Sequence, residues 1–184
     1  MFRRRPFRPL RARRPGRPLA PPGQRVPEPL RRAMRLLDEG RFEEAAAAFG
    51  GLAQGAEEGG ALFRAANLTA QAGRCYLNLD DLDKAYDAGR KALELFERAE
   101  RPAAARHLGE RMVRVLRERG REEQAQALES ELGRLPYPER TGKRRGELPG
   151  KCPQCGGPIK EAETNWLGPS SAECPYCGSV LKGS

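Results

Sequence analysis

A mostly α-helical chain, built from antiparallel helical hairpins and closed by a small cysteine-bearing β module, is the fold class this sequence predicts. Three observations carry that prediction. From residue 28 to 135 the chain is dominated by Ala, Leu, Glu and Arg, all of them good helix formers. Turn-prone residues interrupt this stretch at Gly40, Asp80 and Gly120, a spacing of 40. Two Cys-x-x-Cys units then follow a polar linker. Aromatic residues make up only 6% of the chain and mean hydropathy is −0.74, which favours helices packed through small residues over a large sheet.

Helices are predicted over about residues 28–39, 42–54, 60–79, 82–99, 102–119 and 121–133. Each of the three turns is followed five residues later by Ala45, Ala85 or Ala125. Four residues before each turn lie Leu36, Tyr76 and Leu116, and seven before lie Ala33, Gly73 and Val113. Small side chains on both members of a pair allow close approach, and the Leu and Tyr positions fill the space between. A single hairpin cannot bury its apolar face alone, so three of them are expected to stack.

The interval of 12 from Ala33 to Ala45, repeated from Gly73 to Ala85, resembles the paired small positions of tetratricopeptide repeats, with Tyr76 where that family places an aromatic. The chain departs from the family in its period of 40 rather than 34, in Val113 at a small position, and in having no Trp in any repeat. A plain antiparallel bundle is the competing reading. The resemblance implies a concave groove lined by the first helix of each pair, with Asn67, Arg74, His107 and Arg114 at its groove positions. Arg74 and Arg114, 40 apart, would then favour an acidic peptide or a chain terminus. The simpler alternative for each is a solvated polar face.

The cysteine units read Cys152-Pro-Gln-Cys155-Gly and Cys174-Pro-Tyr-Cys177-Gly, with 18 residues between Cys155 and Cys174. Two thiolates two residues apart reach one ion from a single tight turn, and two such turns supply a tetrahedral shell. Proline presets φ after the first cysteine, and glycine after the second accepts a positive φ. The doubled pattern resembles the knuckles of zinc ribbons across residues 152–184. It implies one structural Zn2+ held by Cys152, Cys155, Cys174 and Cys177; iron in a rubredoxin-like site shares this ligand set. Ile159, Trp166, Leu167, Val180 and Leu181 are the substantial apolar residues of the unit, too few to fold it without metal. Strands are expected near 162–167 and 171–174 around Gly168-Pro169, with Trp166 packed over the site.

A four-cysteine shell leaves no open ligand position, so hydrolytic chemistry is not expected. His107 is the only histidine and completes no nucleophilic motif, and neither an enzyme nor a small-molecule substrate is predicted. Cys75 reads as a buried structural thiol. The run from Asn78 to Asp83 lacks the glycine and glutamate of a calcium loop and reads as a helix end followed by an Asp cap.

Residues 1–27 hold nine arginines and no acid: Arg3, Arg4, Arg5, Arg8, Arg11, Arg13, Arg14, Arg17 and Arg25. Setting these aside leaves 25 basic residues against 25 acidic ones, so the net charge of +9 belongs to this segment. Its Pro and Arg content predicts a disordered arm. The arm suits either a solubilising role or phosphate contacts on nucleic acid. Residues 28–135 form the predicted repeat domain, 136–151 a flexible linker and 152–184 the ribbon. No run of 18 apolar residues occurs, so no membrane span is expected; nor does an apolar segment follow the basic start, so the expected compartment is the cytoplasm. The whole is similar to bacterial proteins that carry helical repeats and end in a ribbon. That similarity implies a non-enzymatic adaptor for a protein or peptide partner, the alternative being a nucleic-acid- or ribosome-associated factor.

Overall fold

The computed structural model describes residues 27–135, 146–161 and 164–183. Six helices run in succession: α1 (Glu28–Asp38), α2 (Phe42–Glu58), α3 (Leu62–Asn78), α4 (Leu82–Arg98), α5 (Pro102–Glu118) and α6 (Glu122–Leu132). Each packs antiparallel on its neighbours in the chain. Three strands follow, β1 (Asn165–Gly168), β2 (Ser171–Glu173) and β3 (Val180–Lys182), forming one antiparallel sheet in the order β1-β2-β3. The arm arginines through Arg25, and linker residues 136–145, lie outside the described residues.

The helices are cut to length by a turn that recurs five times. Gly40, Gly60, Asp80, Glu100 and Gly120 all adopt positive φ, between 57° and 74°. After each, the N–H of Arg41, Ala61, Asp81, Arg101 or Arg121 reaches back five residues to the carbonyl of Leu36, Ala56, Tyr76, Phe96 or Leu116. This left-handed ending satisfies carbonyls that a helix otherwise leaves open. The carbonyl of the same residue then accepts the N–H of Ala45, Ala65, Ala85, Ala105 or Ala125, starting the next helix. All five alanines are buried. The positions 40 apart are thus equivalent, and the shorter unit is one helix and one turn every 20 residues. Asp81 caps α4 as expected, its carboxylate accepting the Lys84 N–H at 3.1 Å.

Exposed ion pairs join every second helix. Arg98 reaches Glu57 at 2.8 Å and Arg121 reaches Asp83 at 3.3 Å, while Arg90 pairs with Glu131 and Arg119 with Asp80. Each is worth little in water; the first three link α2 to α4 and α4 to α6, and the Arg119–Asp80 pair links the ends of α5 and α3.

Two apolar clusters meet on α3. Ala65 and Ala66 belong to one cluster with Phe96, Leu95, Leu108, Val113 and Leu128. Leu68, Ala72 and Cys75 face Phe49, Met34 and Leu36. A helix covered on two sides favours small residues: at Gly73 a Cβ would already touch the Ala85 carbonyl oxygen and the Ala88 Cβ, each at 3.4 Å. Two of the buried polar residues of α3 bond within the helix. Asn67 donates to the Phe63 carbonyl at 2.7 Å and Thr69 to that of Ala65 at 2.9 Å.

Candidate metal centre

The two cysteine turns are built alike. Gly156 and Gly178 take φ of 74° and 76°. In the first turn the Gly156 N–H donates to the Cys152 carbonyl, and the Cys152 N–H donates to that of Gly157, at 2.9 and 2.8 Å. In the second, Gly178 and Cys174 make the corresponding bonds, to Cys174 and Ser179, at 3.0 and 2.8 Å. Each turn therefore presents two sulfurs on one side. All four sulfurs, of Cys152, Cys155, Cys174 and Cys177, lie within 4.8 Å of one another. The Cys152–Cys177 and Cys155–Cys174 separations are 3.8 and 3.7 Å. A tetrahedron of metal–sulfur bonds of about 2.3 Å has edges of about 3.8 Å, so these four residues could hold one metal ion. The same spacing is nearly twice a disulfide bond, and all five cysteines are free.

The electrostatics of the cluster favour a cation. Hydrogen bonds from Cys155, then Cys174 and Cys177, draw the Cys152 thiol far below its ordinary range. Cys155 and Cys174 are pushed up, in both cases chiefly by Cys152. At Cys177, Cys152 opposes ionisation but is outweighed by Cys155 and Cys174, and the thiol falls to about 6. Two thiols are lowered and two raised; all four ionise together only with a positive charge among them.

Ser179 completes the site, and the motif did not reveal it. Its hydroxyl lies 3.0 Å from the Cys177 sulfur and 3.4 Å from that of Cys152, within reach to donate its one proton to either thiolate. The equivalent position in the first turn, Gly157, has no room for a side chain: a Cβ would meet the Tyr176 ring at 2.5 Å and the Met34 Cε at 3.1 Å. That asymmetry, serine against glycine two residues after each second cysteine, is the available sequence signal.

The cysteine module packs on the helices. Cys152, Cys155, Cys174, Ile159, Tyr176 and Leu181 belong to the same apolar cluster as Leu30, Met34, Phe49 and Leu68. Tyr176 is 2% exposed, and its hydroxyl accepts from Gln71 Nε2 at 2.6 Å, joining the second cysteine turn to α3. Gln71 Oε1 in turn accepts from Arg74 at 3.1 Å. Residues 146–151 also belong to this assembly: the Gly146 N–H donates to the Pro169 carbonyl at 2.9 Å, Leu148 packs on the cluster, and Lys151 lies 3.6 Å from Asp38.

Trp166 does not take the central place expected of it. It shares a sheet face with Ala172 and Leu181, but stands on the edge strand, half-buried and outside the cluster around the cysteines. Tyr176 takes that place, because it lies inside the second turn and faces α3. The strand expected near 162–167 begins at Asn165, and β3 adds a third strand. Cys75 is buried as expected, and burial pushes its thiol up to about 11.

The four predicted groove residues differ in burial. Asn67 is buried with its amide engaged in its own helix, which removes it from any surface. Arg114 is exposed on α5 and His107 half-buried on the same helix. Arg74 lines a groove formed by α3, α4, α5 and residues Pro158 and Lys160 of the cysteine module. No helix among the described residues is long and apolar enough to cross a membrane. Set against protein-family models, curated proteins and solved structures, the chain matches none of them, so the functional reading rests on the geometry of the four-cysteine cluster and of the surface beside it.

Proposed function

We propose that this chain is a zinc-binding, non-enzymatic adaptor whose helical repeats, similar to tetratricopeptide repeats, bind another protein. The observation that carries the metal assignment is the four-sulfur cluster with edges of 3.7 and 3.8 Å. Four thiolates suit zinc, and a shell closed by cysteine leaves no position for substrate or water. The metal's role is structural: it fixes the turns that carry Tyr176 and Gly157 onto α1 and α3. Support for the adaptor role comes from the stacked helices with their period of 20.

The alternative places the arm arginines, Arg3 to Arg14 foremost, on nucleic acid. A gel shift with the full chain separates the two. The adaptor reading expects no salt-sensitive complex with RNA or DNA at physiological ionic strength. A complex that weakens steeply with salt and disappears on deletion of residues 1–27 would replace it.

A further inference from the structure

Helix α3 turns a stripe of four side chains toward the cysteine module. Arg64, Leu68, Gln71 and Cys75 follow one another at intervals of four, three and four, the spacing that keeps side chains on one face of a helix. Leu68 and Cys75 share the apolar cluster of Cys152, Cys155 and Cys174. Gln71 donates to the Tyr176 hydroxyl at 2.6 Å. At the N-terminal end of the stripe the half-buried Arg64 reaches Gly178: a Cβ there would lie 2.7 Å from Arg64 Nη2. Both polar members of the stripe therefore address the second cysteine turn, Gln71 at Tyr176 and Arg64 at Gly178, the two residues that flank Cys177.

A cation at this position suits a loaded site. Four thiolates around a divalent ion set four negative charges against two positive ones, and Cys152, Cys155 and Cys174 are buried. Negative charge withdrawn from water is costly unless it is answered. Lys151, beside Cys152, lies 3.6 Å from Asp38 and is largely exposed, so Asp38 and water already answer it. Arg64 pairs with no carboxylate among the described residues. The Glu173 carboxylate approaches the same glycine, one oxygen 3.3 Å from where the Cβ would stand, while its other oxygen accepts from Asn165 Nδ2 at 3.2 Å.

Resting on the zinc reading, we infer that Arg64 is a positioning residue of the metal centre: held on α3, its guanidinium seats the second cysteine turn and offsets the negative charge of the loaded site. The metal centre then extends into the helix stack. Zinc affinity and the packing of the module on α3 support each other, since whatever favours the docked turn favours the bound ion. Charge is the property that matters at this position. Lysine keeps it while losing the planar fork, and glutamine keeps a donor without it.

The test is zinc affinity of the full chain by chelator competition, in the wild type and in Arg64→Gln, Arg64→Lys and Glu173→Gln. Cobalt(II) absorption of each chain reports whether four sulfurs still ligate the ion. Arg64→Gln is expected to bind zinc about tenfold more weakly, with the four-sulfur cobalt spectrum and the helicity retained. Arg64→Lys should stay close to the wild type, a rescue that a purely steric role would not give. Glu173→Gln should bind zinc as tightly as the wild type or more so, because it removes a negative charge beside the same turn. Unchanged affinity in Arg64→Gln overturns the inference, as does a loss in Arg64→Lys equal to that in Arg64→Gln. A loss in Glu173→Gln matching that of Arg64→Gln would assign Arg64 to Glu173 instead and also overturn it. A wild-type chain that takes up no zinc, or whose cobalt spectrum lacks four-sulfur ligation, fails one step earlier and removes the zinc reading together with the inference.

Discussion

Replacing Gly157 by alanine adds one methyl group at the point where the cysteine module meets the helices. The new Cβ would lie 2.5 Å from the Tyr176 ring and 3.1 Å from the Met34 Cε. Met34 ends in a flexible thioether and can yield. Tyr176 cannot: it is fully buried and its hydroxyl is held by Gln71. Gly157 is also not among the residues with positive φ, so backbone strain does not enter. The cost is that of overpacking, about 1–3 kcal/mol. For a domain of this size each kcal/mol shifts Tm by about 2–4 °C, so the melting of the helices should fall by roughly 2–12 °C. The assay is thermal unfolding of the metal-loaded chain followed at a helical circular-dichroism band. A module merely tethered to the helices would lose metal affinity in this variant and leave the helical melt where it was. That result would refute the docked arrangement.

Three further outcomes follow from other parts of the structure. Glu100→Gly should stabilise the chain by about 1 kcal/mol, because Glu100 holds a left-handed conformation that costs a side chain about that much; a lower Tm would contradict the equivalence of the five turns. Ser179→Ala should weaken metal binding by about tenfold in a chelator competition, through loss of the hydroxyl beside the Cys177 and Cys152 sulfurs, and an unchanged affinity would remove Ser179 from the site. Cys75, with its thiol raised to about 11 by burial, ionises less at mildly alkaline pH than an ordinary thiol and should resist alkylation until the chain unfolds. Labelling of Cys75 in the native protein would show that α3 opens.

Much of this architecture is legible in the residues, and the gaps have physical causes. The 40-residue register shows because Gly40 and Gly120 are turn glycines and Asp80 tolerates the same conformation. The 20-residue unit is hidden because Glu100 occupies its turn against its own preference, and because Ala65 and Ala105 disappear among other alanines. The four ligands are read from spacing alone, since each cysteine turn is a local structure of six residues. Tyr176, Gln71 and Gly157 are invisible at that level: their roles depend on two segments separated by about 100 residues meeting in space, and no periodicity reports such a contact. Trp166 misleads for the same reason. It is the largest apolar residue of the module, but the side chain facing α3 is the one that becomes the core. β3 is three residues long, too short to show alternation.

The central claim is a closed four-cysteine metal site that holds the C-terminal module on the helices. Its most direct test is elemental analysis of the full chain purified without added metal, with Cys174→Ser prepared in parallel. The account predicts about one zinc per chain in the wild type and loss of most of it in the variant. Iron in place of zinc, no metal near one equivalent, or zinc retained in full by the variant would contradict it.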